Sequence, residues 1–151
     1  MNTILLKKSK PLEILNLLPS TASTEIFKIV ILSLSSILLL FVGAMRLSNP
    51  IKTYLKNSGI KIENEVNLLN EVRAISSVQL LGGIIILLGT IIPKLTIISF
   101  AAATLIFLGF AIGRLLSIAF DGKPNKLIIQ GLIFELGLGS ANLFCLVNAL
   151  V

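Results

Sequence analysis

The sequence contains no histidine and only one cysteine, Cys145. Intrachain disulfides, zinc sites built on several thiolates and histidine-ligated haem or metal sites are therefore excluded, and we expect no metal and no cofactor. Cys145 lies in an apolar run. A free cysteine in such a setting behaves as a small hydrophobic residue, so we expect it to pack in the core.

Charged residues are also scarce. They make up 13% of the 151 residues, whereas 55% are hydrophobic and the mean hydropathy is +0.99. A soluble domain of this size would be roughly 25% charged, so this single domain needs a solvent other than water. The lysines behind the net charge of +6 flank hydrophobic runs, which favours a membrane surface over nucleic acid as the partner.

Four apolar segments are long enough to cross a bilayer as helices, which takes roughly 20 residues each. They cover residues 27–45, 74–92, 95–120 and 127–151. Pro93 and Lys94 leave room for only a tight turn after the second segment, and the Asp-Gly-Lys-Pro stretch after the third is turn chemistry. The sequence therefore predicts an all-α integral membrane four-helix bundle in which the second, third and fourth segments are contiguous.

Residues 1–25 form a basic segment ahead of this membrane domain of residues 26–151. We expect no cleavable signal peptide, because the first apolar run exceeds the roughly 7–15 residues of a signal sequence. Pro11 suits a first helical turn and Pro19 suits the end of that helix. The pattern predicts a short helix lying in the membrane surface, with a disordered basic tail as the alternative. The residues behind this prediction are Lys7, Lys8, Lys10, Leu12, Leu15 and Leu18.

The loop of residues 46–73 is the largest part predicted to lie outside the membrane. Turns are expected at Asn49-Pro50 and at residues 56–59, followed by a polar helix that runs into the second segment with Val66 and Leu69 on its inner side.

Four crossings put the N-terminus, the turn at residues 93–94 and the C-terminus on one side, called side A. Loops 46–73 and 121–126 lie on the other side, side B, which carries eight basic residues against five on side A. By the positive-inside rule, we expect side B in the cytoplasm and the protein in a bacterial inner membrane.

Polar residues concentrate in the side-B half of the membrane. At roughly 1.5 Å per residue, Arg114 lies about 9 Å and Glu135 about 12 Å from side B, so their depths match. The short turn between their helices predicts an Arg114–Glu135 ion pair, with Arg73 or Asp121 close to it. The polar cluster expected here consists of Glu71, Arg73, Ser77, Arg114, Asp121 and Glu135.

Glycines accompany this cluster at helical spacing. Gly131, Gly139 and Asn142 share one face of the fourth segment with Glu135. Gly109 and Gly113 form a GxxxG motif in the third segment, which allows another helix to approach closely.

Two interpretations of the cluster stay open. A charged side chain at the centre of a membrane helix costs about 2.5–3.5 kcal/mol on insertion scales, unless it pairs or meets water. Arg73, Arg114 and Glu135 either line a polar pocket open to side B or include a structural ion pair that fixes the helix order. The two arginines can also extend their side chains to the membrane surface.

The stretches NEVRAISSVQLLGG, GRLLSIAFDGKPNKL and FELGL resemble a bacterial family of small four-span membrane proteins known only as a domain of unknown function. That family is distantly similar to DoxX-like four-helix proteins. The similarity covers roughly residues 42–146 and leaves out the N-terminal 25 residues. Ser76-Ser77 replaces a Gly-Gly pair that is usual in the family. The motif residues are Glu71, Arg73, Gly113, Arg114, Asp121, Gly122, Pro124 and Glu135. The resemblance implies a fold and no activity.

Three classes of function follow from these features. The absence of catalytic motifs and the GxxxG pair favour a non-enzymatic accessory or scaffold subunit that binds partner helices in a larger membrane complex or in self-association. The polar cluster favours a binder or carrier of a small amphipathic ligand, such as a lipid headgroup or a quinone; the DoxX-like resemblance implies the quinone. An enzyme is disfavoured, because no nucleophile has a base beside it and no phosphate-binding loop is present.

Overall fold

A computed structural model describes the backbone of the chain from residue 11 and the side chains from residue 22, both to the C-terminus. The helices are α1 (Pro11–Ser48), α2 (Pro50–Ser58), α3 (Val66–Ile91), α4 (Thr96–Asp121) and α5 (Lys126–Leu150), with a 3₁₀ turn at Pro93–Leu95 before α4. The all-α four-helix fold expected from the sequence is confirmed.

Four helical stretches are long and apolar enough to cross a membrane: Ala22–Ser48, Val66–Ile91, Pro93–Asp121 and Lys126–Leu150. Their outer surface carries large apolar side chains, among them Leu105 and Phe120, which are 75% and 83% exposed. Such a surface suits lipid and not water, because soluble proteins rarely expose extended apolar patches. The chain is thus built as a multi-pass membrane protein.

The four long helices form a ring. Helix α1 packs most extensively on α3, α3 contacts α4, and α4 packs along α5, so the second, third and fourth spans are contiguous as predicted. Helices α1 and α5 close the ring through a much smaller contact. The bundle is therefore tight on three sides and loosely joined on the fourth.

Two glycines bring α1 and α3 into backbone contact. A Cβ atom on Gly43 would lie 2.8 Å from the backbone nitrogen of Leu80 in α3. A Cβ on Gly83 would lie 2.9 Å from the backbone nitrogen of Leu40 in α1. Small residues that let backbones approach are the usual basis of helix packing in membranes. This seam sets the position of α1 relative to α3.

The buried core lies between the helices and is mostly apolar. Its residues are Leu32, Leu39, Ile86, Phe100, Ala103, Phe107 and Cys145. Cys145 is 2% exposed, which agrees with its predicted packing role. Hydroxyl groups tie α4 to α3 beside this core, since Ser99 Oγ donates to the Ile85 carbonyl at 2.8 Å and Thr96 Oγ1 to the Gly89 carbonyl at 3.0 Å.

One prediction for the N-terminal segment needs correction. Pro19 was expected to end a short helix, but α1 runs without interruption from Pro11 to Ser48. A proline inside a helix removes one backbone hydrogen bond, and here the bonds on either side continue the helix. The placement of residues 1–25 in the membrane surface stays a prediction, because it depends on side chains before residue 22, which lie outside the described residues.

The loop of residues 46–73 contains more helix than expected. Asn49 caps α2 by accepting a hydrogen bond from the Lys52 amide at 3.3 Å, and Pro50 occupies the first turn. Gly59 ends α2 with φ of 65°, a left-handed conformation that favours glycine. Helix α3 then begins at Val66, which is 80% exposed and not inward-facing as predicted.

Candidate functional site

A cavity of about 380 Å³ lies in the side-B half of the bundle, between α1, α4 and α5. Its wall includes one residue of α3, Gln79, and the last turn of α2. The lining residues are Leu38, Val42, Arg46, Lys56, Asn57, Ser58, Gln79, Phe107, Phe110, Arg114, Leu127, Ile128, Gly131, Phe134 and Glu135. The volume falls within the roughly 300–1,000 Å³ of small-molecule sites.

The cavity has a polar end and an apolar end. On α1 the lining residues Leu38, Val42 and Arg46 follow each other at four-residue spacing, which places them on one face over about 12 Å. Arg46 lies at the side-B end of this stripe and the aliphatic residues lie deeper in the membrane. On α4, Phe107 and Phe110 precede Arg114 in the same sense. The shape suits a molecule with a polar head and an apolar chain.

Arg114 and Glu135 form an ion pair across the α4–α5 interface. Arg114 Nε donates to both carboxylate oxygens of Glu135, at 3.0 Å and 2.8 Å. The two side chains are only 25% and 13% exposed. Among the described residues, the terminal Nη groups of Arg114 have no hydrogen-bond partner. The pair thus leaves both Nη groups of Arg114 available beside Gly131 of the cavity wall.

Arg46 is the most deeply buried charged residue of the described chain, with 9% of its surface exposed. Its Nη1 group lies 3.4 Å from Gln79 Oε1 and its Nη2 group 3.5 Å from Ser58 Oγ, both long hydrogen bonds to neutral partners. Its Nε is buried without a partner. The Tyr54 ring covers one face of the guanidinium, 4.6 Å from its carbon.

Helix α2 covers the side-B end of the cavity. Ser58 is buried, and its backbone carbonyl accepts a hydrogen bond of 2.8 Å from Asn125 Nδ2, at the start of α5. Thr53 Oγ1 donates to the Met45 carbonyl of α1 at 3.0 Å. These bonds hold α2 across α1 and α5, and Lys56 and Asn57 of its last turn line the cavity, so the interpretation of a pocket open to side B stays a prediction.

The cavity also has an exposed edge at the α1–α5 side. Phe134 lines the cavity and is 62% exposed on the outer face of α5. Deeper in the membrane, Asn142 Nδ2 donates to Ser35 Oγ at 2.8 Å and joins α5 to α1. The cavity therefore lies between two ties, one through α2 and one through Asn142, and it reaches the lipid-facing surface between them.

Arg73 and three other predicted members of the polar cluster lie outside the cavity. Arg73 is exposed and its Nη1 donates to the Leu47 carbonyl at 3.2 Å, which ties α3 to the end of α1. Asp121 accepts from Ser117 Oγ at 2.9 Å on the exposed surface. Ser77 donates to the Arg73 carbonyl of its own helix, and Glu71 is exposed. Within the described part of the chain, neither Arg73 nor Asp121 makes a hydrogen bond or salt bridge to the ion pair, and their closeness to it stays a prediction.

The four glycines have different surroundings. Gly139 is buried, and a Cβ on it would lie 2.8 Å from Leu108 Cγ of α4. A Cβ on Gly131 would lie 3.9 Å from the guanidinium of Arg114, so Gly131 faces the cavity with room to spare. Gly109 and Gly113 have nothing within 4 Å of such an atom. Their face of α4 therefore makes no helix contact within the described part of the chain.

Sequence reasoning missed Arg46 and Gln79 as a contacting pair. Arg46 was counted only among the basic residues of side B, although it comes one turn before the end of the first apolar helix. Gln79 lies within the second apolar segment, and its spacing alone does not single it out. Their contact depends on the α1–α3 seam, which joins residues 33 positions apart. No short turn between α1 and α3 in the sequence predicts this seam.

The charges at the cavity do not balance. Arg46 and Arg114 each carry a positive charge, and Glu135 is the single carboxylate among the lining residues. Lys56 adds a further cation at the exposed edge. Among the side chains of residues 22–151, no group of three or more histidine, cysteine, aspartate or glutamate residues could hold a metal ion. The site can therefore hold an anionic or hydrogen-bond-accepting group together with an apolar one.

Comparison with known protein families gives a match over most of the chain. The model of a family described as a domain of unknown function, DUF4345, matches residues 27–146. No curated protein matches the chain, and no solved structure matches it. The matched region contains all four membrane-spanning stretches except the two ends, and it contains the whole cavity lining. The chain therefore belongs to this family of DUF4345 proteins, which is defined as a domain of unknown function.

Proposed function

We propose that this protein is a non-enzymatic membrane protein that binds or carries a small amphipathic molecule in the α1–α4–α5 cavity. The observation that carries the proposal is the cavity's division into a cationic end at Arg46 and Arg114 and an apolar end formed by Phe107 and Leu38. A polar head group and a short apolar segment satisfy both ends at once. Lipid headgroups and quinones are the two ligand classes that the sequence suggested.

The route of access supports a ligand that comes from the bilayer. Phe134 is the lining residue at the lipid-facing edge, and α1 and α5 share only a small contact there. Helix α2, fastened by Asn125, lies over the aqueous end. A molecule dissolved in the membrane reaches the cavity by displacing the Phe134 ring.

The ionisable residues on the cavity wall suit the binding of a ligand better than a chemical reaction. The ionisable residues on its wall are three cations and Glu135, whose two oxygens already accept hydrogen bonds from Arg114. General acid–base chemistry needs a group free to exchange a proton with the substrate. We therefore assign Arg46, Gln79 and Arg114 to head-group recognition.

Filling the cavity should remove the bound ligand. Gly131→Leu places a branched side chain beside Arg114, in space that is empty now. We expect wild-type protein purified in mild detergent to carry a small-molecule adduct in native mass spectrometry, and Gly131→Leu to lose it. Gly137→Leu is the matched control on the same helix, because nothing lies within 4 Å of a Cβ there, and it should keep the adduct.

Equal adducts in the two variants, or wild-type protein without any small molecule, contradict the proposal. Size-exclusion chromatography of each variant shows whether it remains folded and has the wild-type size.

A second candidate is an accessory or scaffold subunit that packs against partner helices. The observation that favours it is the outward face of α4, where Gly109 and Gly113 have no neighbour. Glycines four residues apart let a second membrane helix approach closely. The same native mass spectra separate the two candidates, because a scaffold carries a second polypeptide chain where a binder carries a small molecule.

We place side B in the cytoplasm of a bacterial inner membrane, from its excess of basic residues. Cysteines introduced at Lys56 and Lys123 should then resist a membrane-impermeant maleimide in spheroplasts and react after lysis. A cysteine at Lys94 on side A should react before lysis. Native Cys145 is buried and should stay silent. Labelling of the first two positions in intact spheroplasts reverses the orientation.

A further inference from the structure

We infer that the ligand's head group is an anion that supplies the missing counter-charge of Arg46, as a carboxylate or phosphate on a single apolar chain. This inference rests on the proposed function and narrows it to one head-group chemistry. It rests on the unpaired buried guanidinium at the polar end of the cavity.

The first step is the isolation of Arg46. A guanidinium keeps its charge inside a protein, and a buried charge is expensive unless it is paired and hydrogen-bonded. Arg46 is more than nine-tenths buried, yet its Nε lacks a partner and its two hydrogen bonds, to Gln79 and Ser58, are 3.4 Å and 3.5 Å long. No carboxylate of the described residues lies within salt-bridge distance of it. Tyr54 offers a favourable contact to one face only.

The second step is that the cavity wall has no further carboxylate that could neutralise Arg46. Glu135 is the only acidic residue on the wall, and both of its oxygens bind Arg114 Nε. Two guanidinium groups and one carboxylate leave one positive charge. An arriving monoanion brings the buried charges to neutrality, whereas a neutral head group leaves Arg46 uncompensated.

The third step is geometry. The Nη groups of Arg114 are without hydrogen-bond partners within the described part of the chain, and Gly131 keeps the space beside them open, since a Cβ there would still be 3.9 Å away. Arg46 lines the same cavity. Guanidinium groups bind carboxylate and phosphate oxygens in pairs, with shorter and stronger bonds than neutral partners make. Both arginines line the cavity, so a head group with two oxygens can accept hydrogen bonds there from guanidinium donors.

The fourth step concerns the apolar part of the ligand. Below the arginines the wall consists of Leu38, Val42, Phe107 and Phe110, and it opens to lipid at Phe134. A free inorganic anion leaves this apolar half unoccupied. An anion on an acyl or alkyl chain fills it, and the remainder of the chain leaves between α1 and α5 into the bilayer.

The test compares probes that differ in one feature. Protein in dodecyl maltoside is unfolded by heat, followed by circular dichroism, with increasing mole fractions of dodecyl phosphate, dodecanoate, dodecanol or a decyl-substituted benzoquinone, or with inorganic phosphate. We expect dodecyl phosphate or dodecanoate to raise the unfolding midpoint and the other three to leave it unchanged. Whichever of the two acts more strongly identifies the head group as phosphate or carboxylate.

Variants test whether the rise in the unfolding midpoint depends on Arg46. Arg46→Gln should weaken the response to dodecyl phosphate at least about tenfold in mole fraction, since hydrogen bonds to charged groups contribute about 1.5–3 kcal/mol. Lys94→Gln removes one positive charge on side A, far from the cavity, and should respond as wild type does. Because Arg46 lacks a counter-ion, Arg46→Gln without ligand should unfold no earlier than wild type. The wild-type probe series needs no variant, so it decides the question even if Arg46→Gln misfolds.

Each remaining outcome overturns a stated part. If inorganic phosphate raises the unfolding midpoint equally, the ligand does not need an apolar chain. An equal response to dodecanol or to the benzoquinone overturns the anionic head group while the proposed function stands. A response that survives Arg46→Gln unchanged overturns the role of Arg46. If no amphiphile acts and wild-type protein carries no adduct, the proposed function falls as well.

Discussion

Glu135→Ala and Arg114→Ala should each lower the free energy of unfolding by about 3–5 kcal/mol, the usual result of leaving one member of a buried ion pair alone. Arg114 Nε donates to both oxygens of Glu135 at 3.0 Å and 2.8 Å, and both side chains are largely buried between α4 and α5. Glu135→Ala also removes the only carboxylate of the cavity wall. Circular dichroism during titration of dodecyl maltoside micelles with sodium dodecyl sulfate measures the change.

The double variant distinguishes a pair from two separate effects. Arg114→Ala with Glu135→Ala should lose clearly less than the sum of the two single losses, because neither charge is then left unpaired. Glu25→Ala is the control, since it breaks the exposed ion pair with Lys28, N to O 2.7 Å, and exposed pairs contribute about 1 kcal/mol or less. Single variants as stable as wild type would show that water solvates the two charges and that the pair does not hold α4 to α5.

The ion pair could be predicted because the sequence contained all of its determinants. Arg114 and Glu135 lie on either side of a short turn rich in Asp, Gly and Pro, and counting residues from that turn gives both depths. Antiparallel neighbours joined by so short a turn have few ways to pack. The same reasoning predicted the contact of α3 with α4 around Pro93. The short turns in the sequence were thus enough to predict that α3, α4 and α5 are packed as neighbours.

Arg73 was assigned to the cavity wrongly, and its position shows the limit of the depth argument. It comes at the entrance of the second span at the expected level, but depth does not determine the direction in which a helix faces. The α1–α3 seam turns Arg73 outwards, where its guanidinium holds the carbonyl of Leu47. Arg46 occupies the polar end in its place, through a contact with Gln79 that spans 33 residues.

The short helix α2 was also missed, although its signals are present. Asn49 and Pro50 were interpreted as a turn, and they are equally the cap and first residue of a helix. Only nine residues long, α2 is too short to be stable as an isolated helix, and its packing against α1 and α5 stabilises it. This packing brings Lys56, Asn57 and Ser58 to the side-B end of the cavity, which the sequence alone did not predict.

The seam between α1 and α3 determines the position of Arg46, so a substitution at the seam should also change the polar end of the cavity. Gly43 precedes Arg46 by almost one turn, and a Cβ on it would lie 2.8 Å from the Leu80 nitrogen and 3.1 Å from the Ser76 carbonyl oxygen. Both neighbours are backbone atoms and cannot rotate away. Leu80 directly follows Gln79, which Arg46 contacts.

Gly43→Leu should therefore lower the free energy of unfolding by about 3 kcal/mol or more, at the upper end of overpacked cores, because α1 and α3 must move apart. Gly109→Leu is the matched control in α4, where nothing lies within 4 Å of a Cβ, and it should be neutral or gain up to about 1 kcal/mol of helix propensity. Both are measured by the same detergent titration. In Gly43→Leu protein that remains folded, separation of the helices also pulls Arg46 from Gln79, so the response to dodecyl phosphate should weaken together with stability. A Gly43→Leu protein as stable as wild type would mean that the two backbones are not in contact, and the seam could then not be what places Arg46 at the cavity.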